Sequence, residues 1–348
     1  MPREKIGRGL WSRGAQTGAI QEQSQLSIYS GSGVIVRDDG SGTITGTADA
    51  TITRPPWIFR HFTQLVCGES GSNFTTGATT FGSVDDAKTD LDTFSGSAMV
   101  ALYRILEPET PDDMAARFGA QMPIAFYKSV LDGKWKMPVY PTGSPRTAQK
   151  FLAPDGSTVY KWKVGEDFIA DSAQASYTSV DSIINEVHVR YGLYVPTNTY
   201  KYDSWVGPSG SDDGTGTRDQ NAGSPENRET ICSNSKTYYG VKNAVSIDCD
   251  LNPNDNVLAK RLRNYVIDRF NRPRLELKFS TPSRAIGLEP GMVTLVHNDL
   301  QDYLPLPWYP GPNARRNWDD MKFFVRDLSF ECTAGQFPHT VTLEEIPV

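Results

Sequence analysis

Several features that common functions require are scarce in this 348-residue chain. It has only four cysteines and four histidines, and its 41 acidic residues outnumber its 35 basic residues, for a formal net charge of -6. No stretch reaches the roughly 18 uninterrupted apolar residues that a membrane helix needs, so we expect no stable membrane insertion. The acidic surplus argues against a nucleic-acid-binding protein, because affinity for the phosphate backbone comes from clustered lysine and arginine.

The cysteines are too widely spaced to form a recognisable ligand motif. No Cys-x-x-Cys pair occurs among them, since they stand at Cys67, Cys232, Cys249 and Cys332. This spacing favours buried free thiols in a reducing compartment. Two alternatives stay open, namely a disulfide and an iron–sulfur or other metal site, and the metal site would require all four cysteines to converge in the fold. We expect no cofactor.

The residues that usually carry catalysis form no motif either. The histidines have no metal-binding spacing, and His188 alternates with valines, so it is expected to face away from the core. Asp85, Asp86, Asp90 and Asp92 could be paired as in a glycosidase, but we interpret them as a solvated face, because 41 acidic residues produce many such pairs. The sequence therefore predicts a protein that is not an enzyme.

What the chain does contain is enough apolar material for two or three packed domains. Hydrophobic residues make up 38% and aromatic residues 11%. Residues 1–50 are rich in Gly, Ser, Thr and Gln, with short alternating patches at Leu26 and Ile28 and at Val34 and Val36. This pattern predicts an extended arm or a few edge strands that must fold against another domain or a neighbouring subunit.

Residues 51–145 are predicted to form an α/β subdomain. One helix begins at Pro55, and a second is predicted over residues 97–106 after a Gly/Ser/Thr-rich loop. A third begins at Pro111, where Thr110 can cap the first free amides. The Asp-Gly turn within residues 131–134 then predicts a hairpin.

Residues 146–348 are predicted to form a β-barrel domain with one inserted helix. A long strand is expected within residues 180–191. Residues 207–227 are almost devoid of apolar side chains, which predicts a flexible loop that is dispensable for folding. The fold class is therefore α+β, mainly β, with small barrels and an α/β subdomain. A second barrel is suggested by the arm together with the strands of residues 124–175.

One turn in this region has a clear structural purpose. Pro290 fixes its own φ, and Gly291 can supply the positive φ that a type II turn requires. We interpret the pair as a device that directs the next strand back into the barrel, and not as a binding site.

Four aromatic residues are predicted to lie in or beside loops, namely Trp205, Trp308, Tyr309 and Trp318. Aromatic side chains in such positions occur on sugar-binding surfaces and as anchors of protein–protein interfaces. We favour the interface.

The order of these elements resembles the hub region of phage tail proteins. The family includes the baseplate hub of contractile tails, the central tail-tip protein of lambda-like phages and the related hub of gene-transfer agents. The resemblance covers about residues 50–348, with Arg54 and Met292 where the family usually has Asn and Asp. Four segments carry it, namely residues 53–58, 114–119 with 131–135, 184–191 and 288–293.

The resemblance implies a trimer, assembled in the host cytoplasm, whose barrels form a pseudo-sixfold ring at the tail tip or baseplate of the virion. Its implied partners are a distal tail or tube protein, the tape-measure protein and tail fibre or tip proteins, with DNA only in passage during genome ejection. Two alternatives stay open. One is a distal-tail adaptor ring, and the other is a tail-associated hydrolase of the cell wall.

Overall fold

The structure is a computed structural model of the chain, and it describes most of the residues from 36 to 346. The described ranges are residues 36–65, 67–103, 109–140, 146, 149–154, 156, 158–168, 170–194, 197–216, 228–240, 243–252, 255–281, 287–307, 317–330 and 339–346. The predicted arm lies outside this part of the chain as far as residue 35.

Five α-helices and twelve strands occur in the described ranges. The helices are α1 (Pro55–Leu65), α2 (Val84–Ser95), α3 (Pro111–Gln121), α4 (Glu229–Tyr239) and α5 (Asn256–Phe270). The first strands are β1 (Tyr127–Lys128), β2 (Trp135–Lys136), β3 (Lys161–Trp162), β4 (Gln174–Tyr177), β5 (Glu186–Tyr194) and β6 (Thr199–Gly207). The remaining strands are β7 (Gly210–Asp213), β8 (Ala244–Cys249), β9 (Leu275–Thr281), β10 (Val293–Val296), β11 (Lys322–Phe330) and β12 (His339–Glu345). The predicted class, α+β and mainly β, is confirmed.

A curled six-stranded sheet organises the C-terminal part of the chain. Its strand order is β3-β10-β11-β12-β9-β4, and only the pair of β3 and β10 is parallel. Alternate residues of β9, Leu275, Leu277 and Phe279, are fully buried in its core, as the period of two of a strand dictates. β3 and β4 stand at opposite ends of the order, so the sheet remains an open half-barrel.

A second sheet has the order β7-β6-β5-β8 and is covered on one face by helices. β5 and β8 are parallel, because the chain between β7 and β8 crosses over through α4. Val187, Val189 and Tyr191 of β5 are buried in one core cluster with Leu262 and Ile267 of α5. α5 therefore covers the inner face of this sheet and leaves the outer face uncovered by helices in the described part of the chain.

The helical part packs α1, α2 and α3 around the hairpin β1–β2. Phe59 of α1 and Trp135 of β2 meet edge to face inside the same core, with ring centroids 5.1 Å apart. The predicted start of α3 is confirmed, because Thr110 accepts a hydrogen bond from the Asp113 amide while the Asp113 carboxylate accepts one from the Thr110 amide.

Three predictions of secondary structure need correction. No helix forms over residues 97–103, where the chain is extended and Ala101 donates a backbone hydrogen bond to Thr53. Helix α2 lies just before it, in a stretch interpreted as a solvated acidic face. Residues 207–227 are not one loop, because β7 forms within them and Ser211 is buried. Residues 217–227 lie outside the described ranges.

The described strands of the predicted barrel domain, residues 146–348, form two separate sheets and not a single barrel. β5 to β8 do not join the C-terminal barrel but form their own sheet, while β3 and β4, expected in a second barrel, pair with β10 and β9. The boundary proposed at residues 141–145 lies outside the described residues. Soon after it, the Phe151 amide donates to the Val293 carbonyl, so the chain has already reached the six-stranded sheet.

The described helices do not meet the requirements of a membrane span. The longest of them, α5, has 15 residues, and none is long and apolar enough to cross a bilayer.

Candidate functional site

The outer face of the four-stranded sheet is the surface on which the structure brings the most functional side chains together. Strand alternation directs Glu186, His188 and Arg190 of β5 to this face, opposite the buried valines. Asp203 and Trp205 of β6 lie beside them. We call this surface, with Ser246 and Asp248 of β8, the Trp205 face.

His188 stands at the centre of the Trp205 face and is held by two carboxylates. Its Nδ1 lies 2.9 Å from Asp203 Oδ2, and its Nε2 lies 3.5 Å from Glu186 Oε1. The imidazole is also nearly parallel to the Trp205 ring, with centroids 5.8 Å apart and an interplanar angle of 15°. His188 faces away from the core, as the alternation of the sequence indicated.

A second ion pair extends the face along the strands. Arg190 Nη2 lies 2.5 Å from Oδ1 of Asp248 on β8, and each of the two side chains is 46% exposed. The Arg190 guanidinium also lies 5.7 Å from the centre of the Tyr200 ring. The face therefore combines half-exposed aromatic rings with charges of both signs, which is typical of the polar part of a protein–protein interface.

The same residues are poorly placed for acyl transfer. Ser246 is the register partner of His188 on β8, so a serine, a histidine and Asp203 lie on neighbouring strands. A triad needs the histidine nitrogen remote from the aspartate to face the serine. Here that nitrogen, Nε2, faces the Glu186 carboxylate instead.

The predicted aromatic residues have different positions. Trp205 is half-buried at the centre of the Trp205 face. The interface prediction is wrong for Trp318, which is fully buried in the core of the six-stranded sheet and donates from Nε1 to the Leu304 carbonyl. A side chain enclosed in its own subunit cannot anchor a partner. Trp308 and Tyr309 lie outside the described residues.

Two of the four cysteines agree with the prediction of buried free thiols. Cys232 and Cys249 are buried free thiols in the same core cluster, and burial raises the pKa of each to about 12. Cys67 is exposed, so the prediction of a buried thiol is wrong for this residue. Cys332 lies outside the described residues, and within them no group of three or more Cys, His, Asp or Glu side chains could hold a metal ion.

The turn at Pro290 and Gly291 has the expected geometry and also an unexpected contact. Gly291 has a φ of +92°, and the Met292 amide donates to the Glu289 carbonyl across the turn. A Cβ atom at Gly291 would lie only 3.0 Å from Pro138 Cβ. The turn therefore packs against the segment that follows β2.

Replacing Gly291 with valine is expected to lower the free energy of unfolding by at least about 1–3 kcal/mol, because a β-branched residue would be forced to positive φ. The contact with Pro138 adds to this loss. Urea denaturation measures it, and Gly133→Val is the matched control, because Gly133 has a φ of +68° with open space around it. Equal losses at the two positions would show that the Pro138 contact has no effect.

A buried ion cluster on α2 was not predicted from the sequence. Asp86 and Asp90 were interpreted as solvated, but they are 1% and 8% exposed, and both carboxylates pair with Arg146. Gln149 also donates to Asp90, at 2.9 Å. Spacing within the helix could not reveal this, because the cation comes from a segment about 60 residues away along the chain.

The Asp86 carboxyl should make stability depend on pH. Burial, reinforced by the Asp90 charge and opposed by Arg146, raises the pKa of Asp86 to about 6. Because this pKa lies above the unfolded value near 4, the stability that protonated Asp86 contributes is present at low pH and lost as the pH rises through about 6.

We therefore expect Asp86→Asn to gain stability relative to the parent protein between pH 4 and pH 8, by up to about 3 kcal/mol. Urea denaturation at several pH values measures the difference, and Asp112→Asn, at an exposed position of α3, sets the baseline for loss of a carboxylate. A difference between parent and Asp86→Asn that stays constant over this range would contradict the expectation.

Comparison with known proteins finds similarity only among solved structures. No protein-family model matches the chain, and no curated protein matches it in sequence. The 43 kDa tail protein of prophage MuSo2 from Shewanella oneidensis is similar with 9% identity and a TM-score of 0.36, over 79% of this chain and 68% of that one. The tail protein from Neisseria meningitidis MC58 is similar with 10% identity and a TM-score of 0.37, over 75% and 66% of the two chains. These two structures are both tail proteins, at a level of similarity that does not establish a family for this chain.

Proposed function

We propose that the chain is a structural, non-enzymatic subunit of a phage tail, and that three copies form a hub ring at the tail tip or baseplate. In this role the ring joins the tail tube to distal tip or fibre proteins and surrounds the passage for DNA.

The observation that carries this proposal is that both large sheets are open within the described part of the chain. The six-stranded sheet ends at β3 and β4, and the four-stranded sheet ends at β7 and β8. Unpaired backbone groups at a sheet edge are normally covered or paired by other chain segments. A subunit with open sheet edges is suited to a ring in which neighbouring copies or adaptor proteins complete the edges that its own chain leaves unpaired.

The positions of the resembling segments support the same role. Residues 53–58 lead into α1, and residues 131–135 form the turn between β1 and β2. Residues 184–191 lead into β5, and residues 288–293 form the turn before β10. Residues 114–119 lie within α3. The segments that carry the resemblance to tail hub proteins thus lie in a helix, at the start of an element or in a turn, as their motifs predict.

Native mass spectrometry of the purified chain tests the assembly, and we expect a trimer whose interfaces exceed the roughly 1,000 Å² of a specific contact. Electron microscopy of labelled particles should then locate the subunit at the tail tip or baseplate. A stable monomer at assembly concentrations would count against the hub, and a hexamer would favour the adaptor ring.

Incubation with purified cell-wall material separates the structural role from that of a hydrolase. We expect no release of soluble sugar or peptide above a heat-denatured sample. Release that persists after further purification would replace this proposal with the hydrolase.

A further inference from the structure

The free edge of β8 is the longest sheet edge among the described strands. β8 has six residues, against two in β3 and four each in β4 and β7. Its neighbour on one side is β5, and no described strand pairs with it on the other.

α3 lies beside the end of β8, where Gln121 donates to Asp250 and accepts from the Leu251 amide. The edge of β8 itself has few of the other devices that keep edges from pairing. Natural edge strands are commonly short, or they carry lysine, proline or a bulge. β8 contains neither lysine nor proline, and its only charge is Asp248, which already pairs with Arg190. Val245 and Ile247 are half-buried at the border of the helix-covered core, while Ala244 and Ser246 are exposed. The edge is therefore suited to one more strand with alternating apolar and polar residues.

The described chain begins close to the end of this edge. Three segments lie side by side, namely residues 36–38, 50–53 and 101–102, and the last of them contacts Leu251 in the turn that follows β8. Three backbone hydrogen bonds join them, from Ile52 to Val36, from Ala101 to Thr53 and from Leu102 to Leu251. Hydrogen-bonded backbone segments are about 4.8 Å apart, so three such steps place residue 36 within about 14 Å of the turn that follows β8.

The sequence before residue 36 has the length and the pattern to occupy the edge. Residues 31–35 can span up to about 17 Å when extended, which is enough to cross this distance. Before them, Leu26 and Ile28 alternate with Ser27 and Tyr29. Seven residues, 24–30, would cover the six residues of β8.

We propose that residues 24–30 of this chain bind along the free edge of β8 as a fifth strand. The strand runs parallel to β8, because the chain continues from it toward residue 36 beside the β8 terminus. Leu26 and Ile28 lie on the side of Val245 and Ile247 and extend the apolar core, and Ser27 lies on the side of Ser246.

A cysteine pair tests this contact in the full chain. With Cys67 and Cys332 replaced by serine, Ser27→Cys combined with Ser246→Cys should form a disulfide within one chain when diamide is added. Ser27→Cys with Ser209→Cys is the control, because Ser209 is exposed in the turn at the opposite edge of the sheet. Absence of the first crosslink overturns the proposal. Crosslinked dimers overturn it in favour of a strand exchanged between copies.

Hydrogen exchange provides an independent readout that does not require oxidation. The double variant Leu26→Lys with Ile28→Lys should reduce protection of the amides of residues 245–248 at least tenfold and leave β5 unchanged. The matched double variant Ser27→Lys with Tyr29→Lys places the same two charges on the exposed side and should leave both strands unchanged. Equal protection of β8 in the parent and the Leu26→Lys, Ile28→Lys variant would overturn the proposal.

Discussion

Replacing Arg263 of α5 with methionine is expected to lower the free energy of unfolding by about 3–5 kcal/mol. Arg263 is 1% exposed, and its Nη1 donates to Ser204 Oγ at 3.1 Å and to the carbonyls of Trp205 and Asp212 at 3.0 and 2.6 Å. Methionine fills much of the volume but leaves these buried acceptors without the guanidinium. Thermal and urea denaturation measure the loss.

The control is Lys260→Met on the same helix. Lys260 pairs with Asp213 at 3.8 Å and is partly exposed, so its loss should cost no more than about 1 kcal/mol. A change in Arg263→Met as small as in Lys260→Met would contradict the role given to the buried guanidinium.

This expectation also reverses the prediction that residues 207–227 are dispensable. The Asp212 carbonyl, which accepts from Arg263, belongs to β7, and β7 pairs with β6 in register. Removing the whole segment would remove this strand, so we now expect the deletion to cost stability. The composition of the segment concealed this, because β7 contributes backbone groups and not apolar area.

Replacing Glu289 with alanine is the second change with a large expected effect, a loss of about 3–5 kcal/mol. Glu289 is 5% exposed and accepts hydrogen bonds from Tyr127 at 2.9 Å and Ser129 at 2.7 Å, with Lys136 Nζ at 3.7 Å. Alanine would leave a buried ammonium group and two hydroxyls without this acceptor. Urea denaturation measures the loss.

Two further variants separate charge from shape at this position. Glu289→Gln keeps the volume and one acceptor oxygen, so its loss should be intermediate. Asp132→Asn is the control, because Asp132 also lies near Lys136, at 3.6 Å, but is 39% exposed. If Asp132→Asn were as destabilising as Glu289→Ala, the buried position of Glu289 would not explain its contribution.

Local sequence signals predicted the elements whose causes are local. The cap at Thr110 set the start of α3, and the positive φ of Gly291 followed from the Pro-Gly pair. The alternation around His188 indicated which of its neighbours are buried. In each case the physical cause lies within a few residues of its effect.

The errors arose where the cause lies far along the chain. α4 was not predicted, because only Cys232 and Ser235 of its eleven residues are buried and its apolar pattern is weak. Trp318 resembled a loop aromatic, since the sequence does not show that Phe323 and the Leu304 carbonyl enclose it. The Trp205 face was missed as a unit for the same reason, because its parts come from three strands.

The place of β12 in the six-stranded sheet affects how the protein can be synthesised. β12 is the last of the described strands along the chain. It nevertheless lies inside the sheet, between β11 and β9, and not at an edge. During translation, β3, β4 and β9 emerge long before residues 339–345 can join them. Domains can fold on the ribosome only when their pairing partners have emerged, and exposed strands promote aggregation in the meantime. This sheet therefore cannot be completed until residues 339–345 have emerged from the ribosome, and ribosome-bound chains that stop before β12 should depend on chaperones.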